Sequence, residues 1–547
     1  MQTISTDVRL AHTGATAIAE PIAPARRARR APLALGLFLC FLAFYAATAS
    51  GHAVTIDGEY YFLTAESLVL RHSFAVEPVV PSDLGRFVLR APNGQIYAKY
   101  APLQSVVEAP FYLVGRALLS RFLAGRPLEQ ALRVWVPSLA NATASASLVA
   151  LASGAVLDLG YSRRIALGVA LVLGLATLVW PLGRSEFSEP LEALLLLGAF
   201  VALRRVRPTG SGYVALVSGA LLGLLVLAKA INVVVLPIFG LALLWRLRGA
   251  PRGRVVAQAM LFGAAALVGV GAFCLLNQAR TGNPLDFGYH EPFDTPLLLG
   301  LYGWTFSPGK GVFLYMPVLL AALIALPRFA RLHGFEAAVI VATSAVLVFF
   351  YARFWAWSGD WAWGTRFAVP LLPLWILPLA TALSRWRLIG RALLGVLAAA
   401  SFVVQSVGVL VDPMKYLVYY YTRIAPLYGQ PAGYSWSVET LSPVHFAPEL
   451  SPILMQARML LATLAGSPPS SPPRSPAAFV APPPIARALG IERWLPTPSG
   501  SLIGFDVWPL RTPLGHGGWI ALGCLGAVLL VGATLIVLSQ MEVPVIH

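Results

Sequence analysis

Charge is what this sequence holds least of. Asp, Glu, Lys and Arg together make up 12% of its 547 residues, against about 25% in average soluble domains, which argues against a water-soluble enzyme. Sulfur is as scarce. The three cysteines, Cys40, Cys274 and Cys524, each fall within an apolar run; they read as small buried residues and leave no disulfide or thiolate metal framework. The eight histidines (His12, His52, His72, His290, His333, His445, His516 and His547) show neither HExxH nor any paired ligand spacing. Walker A, GxSxG and dinucleotide-binding sequences are missing, which argues against nucleotide-driven and serine-hydrolase chemistry. Alternating segments of about ten residues, the mark of an outer-membrane barrel, are absent as well.

What the sequence does have is hydrophobicity: 57% of residues, with a mean hydropathy of +0.72. A bilayer span needs roughly 20 mostly apolar residues. Apolar runs lie near 32–50, 101–119, 134–157, 165–183, 190–203, 212–229, 231–245, 255–276, 311–327, 335–352, 367–383, 391–411 and 517–539. The chain therefore reads as an all-α polytopic membrane protein. Its net charge of +16 comes mostly from short arginine clusters between these runs. That is the pattern of cytoplasmic loops rather than of a nucleic-acid surface. The block Arg26-Arg27-Ala28-Arg29-Arg30 before an apolar run has the look of a secretory signal, but residues 1–25 precede it. An uncleaved first span with a cytoplasmic N-terminus is the better reading.

The 101–119 run decides the topology. It carries Glu108, Pro102 and Pro110, which are costly in a lipid-facing helix. If it spans, Arg204, Arg205 and Arg207 fall outside, with the clusters at 246–254, 328–331 and 385–391. If it lies along the interface, all of them turn inward together with Arg163 and Arg164. The expectation is about twelve spans, both termini cytoplasmic, and an interfacial helix after the first span. Segments 51–133, 184–189, 277–310, 353–366 and 412–516 then share the outer face. By region, 1–31 is a basic tail and 32–411 the main membrane module. Residues 412–516 form an outer segment with clustered tyrosines and prolines, and 517–547 a last span with a short tail.

Acidic residues are few, so each one on that face is informative. Asp57 lies in Thr55-Ile56-Asp57-Gly58-Glu59-Tyr60, ahead of a Leu63–Leu70 stretch that reads as an amphipathic surface helix. Glu186 and Glu189 stand in Ser185-Glu186-Phe187-Ser188-Glu189-Pro190, where Pro190 suits the first turn of a helix. Asp57 also reads as a turn or cap residue and Glu189 as a plain cap, yet two carboxylates at helix starts on one face are what a general base and its support need. Lys99, Lys310 and Arg366 lie on the same face and can hold an anion; Lys229 sits near the outer end of its run. Snorkelling to headgroups is the alternative for each, and an Asp360–Arg366 ion pair for the last. Trp355, Trp357, Trp361 and Trp363 suit either an interfacial belt or a sugar-stacking wall.

Four stretches, in this order and spacing, resemble the GT-C glycosyltransferases, and among them bacterial relatives of the protein O-mannosyltransferase and lipid A aminoarabinose transferase group. They are Asp57-Gly58-Glu59-Tyr60 with Ala65-Glu66-Ser67-Leu68; Tyr97-Ala98-Lys99-Tyr100-Ala101-Pro102 leading to Ala109-Pro110-Phe111-Tyr112; Trp180-Pro181 through Glu189-Pro190-Leu191; and Phe306-Ser307-Pro308-Gly309-Lys310-Gly311 with Trp363-Gly364-Thr365-Arg366-Phe367. The resemblance covers residues 32 to about 411. It implies a GT-C helical bundle in a bacterial inner membrane. Such an enzyme moves a hexose or pentose from a polyprenyl-phosphate carrier to a hydroxyl acceptor on the outer face. It further implies that Asp57 is the base, that Glu189 is the second acid, and that Lys99 contacts the lipid phosphate at the opening of the interfacial helix. Many relatives carry adjacent acids in the first loop; here Gly58 intervenes, so the base is Asp57 or Glu59.

On this reading Lys99, Lys310 and Arg366 neutralise the leaving phosphate. Tyr60, Tyr97, Glu186, Lys229, Trp361 and Trp363 are further candidates for substrate contact. No metal or other cofactor is required by the sequence. The rival class is a secondary transporter or flippase of a lipid substrate, but transporters often show repeated halves and none is visible. A scaffold would leave Asp57, Lys99 and Glu189 without a purpose. Neither the donor sugar nor the acceptor is encoded in a local motif.

Overall fold

A computed structural model describes residues 31–52, 55–359, 362–420, 443–464, 504–511 and 516–541. The described chain is largely helical, and its helices follow the apolar runs. Among the described residues, length and composition qualify five helices as able to cross a membrane: Arg126–Asp158, Arg252–Thr281, Gly334–Arg353, Leu388–Leu410 and the last, His516–Gln540. A sixth arises if Arg366–Trp375 and Leu379–Arg385, bent by 41° at their junction, make one span. The expected twelve are not reached by this measure. Runs such as 32–50 and 212–229 form the shorter helices Ala31–Ala47 and Tyr213–Ala228. Others are divided: 165–183 breaks at residues 176–178 into Arg163–Leu175 and Val179–Gly183, where Pro181 cannot donate back to the Thr177 carbonyl. The basic N-terminal block, Asp360, Trp361 and the proline-rich stretches of 465–503 lie outside the described residues.

Apolar side chains from most of these helices share one core around Leu37, Val149, Leu196, Phe239, Tyr315 and Leu371. Small residues let two helices meet backbone to backbone. A Cβ on Gly269 of Arg252–Thr281 would lie 2.3 Å from the Gly223 carbonyl carbon of Tyr213–Ala228, the close approach that glycine permits between membrane helices. The last helix packs against the first, with the Cys40 thiol 3.6 Å from the Leu529 carbonyl oxygen.

The segment after the first helix departs from the all-α expectation. Its helix starts at Ile56, earlier than the Leu63–Leu70 stretch suggested, and runs to Arg71. A two-stranded antiparallel hairpin follows, pairing Val88–Arg90 with Ile96–Ala98. The Leu103–Leu119 helix buries Gln104, Ser105, Glu108 and Tyr112 and exposes Val106, Leu113, Val114 and Leu118. Its polar side is turned to the protein and its apolar side outward, as suits a helix against lipid. Glu108 is thereby kept from the apolar side, Pro102 stands at the helix N-cap, and Pro110 falls on the exposed side.

Candidate active site

The site begins at the N-terminus of the Ile56–Arg71 helix. Thr55 caps it, its hydroxyl accepting the Gly58 N–H at 2.9 Å. Glu186 then fixes the cap, because its Oε2 accepts from the Thr55 N–H at 3.0 Å and the Thr55 hydroxyl at 3.3 Å. Gly58 makes room for this contact: a Cβ there would lie 2.2 Å from Glu186 Cβ and 2.5 Å from its Oε2. Glu186, a candidate for substrate contact in the sequence, is thus occupied with the helix start.

Asp57 and Glu59 are two positions apart on this helix, so they point to different sides. Asp57 Oδ1 accepts from the Tyr100 hydroxyl at 2.7 Å, and Oδ2 lies 2.9 Å from Arg366 Nη1. Glu59 instead meets Arg133 of the Arg126–Asp158 helix. Burial pushes the Asp57 carboxyl up, but the Arg366 guanidinium, with help from Tyr100 and Lys99, holds it below the usual carboxylate range. It is ionised and fully engaged.

Arg366 enters from the other end of the sequence and links the two acids. Its Nε lies 3.8 Å from Glu189 Oε1, and its guanidinium stands over the rings of Phe187 and Phe367 at 4.5 and 5.0 Å. Glu189 is the first residue of its helix, behind Ser188 as the cap and ahead of Pro190. It is buried and pairs with Lys229 at 2.7 Å. Lys229 also reaches Glu192 at 3.2 Å, a carboxylate one helical turn along that sequence reading passed over. Asp57, Arg366, Glu189, Lys229 and Glu192 form one chain of alternating charge.

Lys99 flanks Asp57. It follows the second hairpin strand rather than opening the interfacial helix, which starts at Leu103. Its ammonium pairs with Glu291 at 2.9 Å and lies 4.8 Å from the Tyr289 ring centroid. Arg280 clamps this stretch, donating to the carbonyls of Ala98, Lys99, Tyr100 and Phe287 at 2.8–3.3 Å. Tyr100, Arg280, Tyr289 and Glu291 were not foreseen. Only Arg280, a cation closing an apolar run, carried any signal.

Other candidates lie elsewhere. Lys310 is buried, and its ammonium donates to the carbonyls of Ala362 and Gly364 at 2.7 and 3.3 Å, which ties two loops together. The Trp363 ring packs edge-on to Tyr315 at 5.0 Å and against Gly408, within the core. Tyr60 turns from Asp57 to Asp83 and accepts the Val79 N–H at 3.0 Å. Tyr97 stays beside the cluster, lining a small cavity with Tyr61, Tyr100 and Arg280. The expected Trp361 contact lies outside the described residues.

No family model matches the chain, and no curated protein matches it. Among solved structures it is similar to ArnT from Cupriavidus metallidurans bound to undecaprenyl phosphate, at 13% identity and a TM-score of 0.40 over 95% of this chain and 78% of that one. It is also similar to the apo state of that protein, at 14% identity and a TM-score of 0.39 over 90% and 75% of the two chains. Likenesses of this size settle neither family nor activity. The functional reading rests on the chain's own residues.

Proposed function

We propose that this protein is a GT-C-type membrane glycosyltransferase. It moves a sugar from a polyprenyl-phosphate carrier to a hydroxyl acceptor on the outer face, with Asp57 as general base. The observation that carries the reading is the meeting of Asp57, Lys99, Glu189 and Arg366, which come from three segments far apart in sequence, 51–133, 184–189 and 353–366. Cations beside a base are what departure of a phosphate and deprotonation of an alcohol require together.

The chemistry follows from the pairings. The donor enters from the outer leaflet with its chain against apolar helices. Its phosphate draws Lys99 from Glu291 and Arg366 from Asp57, both held in place by ion pairs near 2.9 Å. Arg366 offers two N–H groups to phosphate oxygens. Release from Arg366 frees Asp57 Oδ2 and raises its basicity. The acceptor oxygen then bonds to the anomeric carbon, the carbon–oxygen bond to phosphate breaks, and that electron pair stays on the phosphate. The acceptor proton passes to Asp57. A single displacement inverts the anomeric centre. Glu189, itself paired with Lys229, holds Arg366 from behind.

The test is purified protein in lipid, offered a panel of labelled polyprenyl-phosphate sugars with membrane extract as the source of acceptor. Consumption of at least one donor with label in a product is the expected result. Lack of both binding and consumption across the panel contradicts the proposal and favours the flippase or transporter class.

A further inference from the structure

A second set of side chains converges apart from the charge chain. His52 lies just past the first helix, Asp412 just past the Leu388–Leu410 helix, and Asp506 in the segment leading to the last helix. His52 and Asp506 are separated by 454 residues, yet His52 Nε2 is 2.8 Å from Asp506 Oδ1 and 3.8 Å from Asp412 Oδ2. The three ligand atoms all lie within 4.8 Å of one another. Both carboxylates are buried, at 2% side-chain exposure, and the imidazole nearly so at 15%.

We propose that His52, Asp412 and Asp506 bind one divalent first-row metal ion, of which Zn2+ is the best fit, and that the ion clips these three segments together. Metal–ligand bonds of about 2.0–2.2 Å in tetrahedral geometry place ligand atoms about 3.3 Å apart, within the spread seen here. One imidazole and two carboxylates suit zinc or manganese and not a soft ion such as Cu(I). Three protein ligands leave a fourth position for water.

The orientation of the carboxylates fits such an ion. A carboxylate that binds a metal through one oxygen is commonly fixed through the other by an outer hydrogen bond. Asp506 turns Oδ2 to Arg184 Nη2 at 2.8 Å, and Asp412 turns Oδ1 to the Met414 N–H at 2.9 Å. The remaining oxygen of each faces the His52 ring. On binding, His52 offers the Nε2 lone pair and carries its proton on Nδ1. Backbone bonds already align the same segments: Asp506 N–H to the Leu410 carbonyl at 2.8 Å, and Trp508 N–H to the Ala49 carbonyl at 2.9 Å. The ion locks this junction five residues before Asp57.

The experiment uses the full-length protein in detergent, stripped with a chelator, re-equilibrated with Zn2+ and analysed by elemental mass spectrometry and by competition with a zinc-sensitive dye. Wild type is expected to take up about one equivalent, and His52→Ala and Asp412→Asn to bind at least tenfold more weakly. Thermal unfolding of the wild type alone gives a second reading: chelation lowers Tm and zinc restores it. Uptake that is equal in wild type and both variants, or a wild type that takes up no metal and whose Tm ignores chelator and zinc, overturns the proposal.

Discussion

Asp57 and Arg366, 309 residues apart, form an ion pair of 2.9 Å across the candidate site. The pair keeps the carboxylate ionised and the guanidinium aimed, so removing the cation affects both. Arg366→Gln is expected to lower transfer about 10²–10³-fold, the size typical of losing one preorganised donor. Because Arg366 is the main group holding the Asp57 carboxyl down, its loss should also move the acid limb of the pH–rate profile upward. A profile measured on wild type and variant checks both; an unmoved acid limb counts against the pair.

Glu59 separates base from structure. It pairs with Arg133, which is 30% exposed, so Glu59→Gln leaves a buried site poorly matched. The cost is about 1–3 kcal/mol, reduced from the range for buried pairs by that exposure. Lower thermal stability with kcat within a few-fold of wild type is the expected result. A large loss of kcat with stability unchanged would make Glu59 the base instead.

Gly58→Ala should act through Glu186. The new Cβ displaces the Glu186 carboxylate from the Thr55 N–H and hydroxyl, loosening the helix start that carries Asp57. The loss of activity in Gly58→Ala combined with Glu186→Ala should fall well short of the sum of the two single losses, because both act on one contact. Additive losses in the double-mutant cycle would show that Gly58 and Glu186 act independently.

Lys99 and Lys310 are expected to part company. Lys99→Ala removes a cation beside Asp57 and should raise the donor KM. Lys310→Met removes donors to the Ala362 and Gly364 carbonyls and should lower Tm, with donor KM nearly unchanged in the folded fraction. Equal KM effects would place Lys310 with Lys99 at the donor.

Glu108 gives a stability test with a definite sign. Burial pushes its carboxyl up to about 8, with Gln104 opposing. A carboxyl whose folded pKa is raised contributes stability that is full below its unfolded value and is lost as pH rises through the folded one. Glu108→Gln should therefore gain on wild type as pH increases from about 5 to about 9. Thermal unfolding across that range reads the gap; a constant difference would mean that Glu108 does not titrate with folding.

Much of this was legible in the sequence, for identifiable reasons. Hydrophobic runs forecast the helices because bilayer burial and helix formation depend on the same local composition. Glu189 before Pro190 marked a helix start, and scarcity of acids singled out Asp57. Length was harder to read: the run 165–183 breaks ahead of Pro181, and no local pattern announced the hairpin that carries Tyr97 just ahead of Lys99. Direction was hidden as well. Asp57 and Glu59 differ by two positions, and their different partners, Arg366 and Arg133, are remote in sequence. Lys310 and Trp363 bear the residue types of a binding site, and their contacts to the Ala362 and Gly364 carbonyls and to Tyr315 carry no local sequence signature. Glu291 and Tyr289 reach Lys99 from a loop whose path is set by Arg280, a tertiary contact with no periodic signature.

The central claim is that Asp57 deprotonates the acceptor. Its most direct test is transfer from a labelled polyprenyl-phosphate sugar by Asp57→Asn, with donor binding measured on the same preparation. The account predicts a rate at least about 10²-fold below wild type while donor binding persists. Transfer near the wild-type rate, with Asp57 replaced and the protein folded, would contradict it.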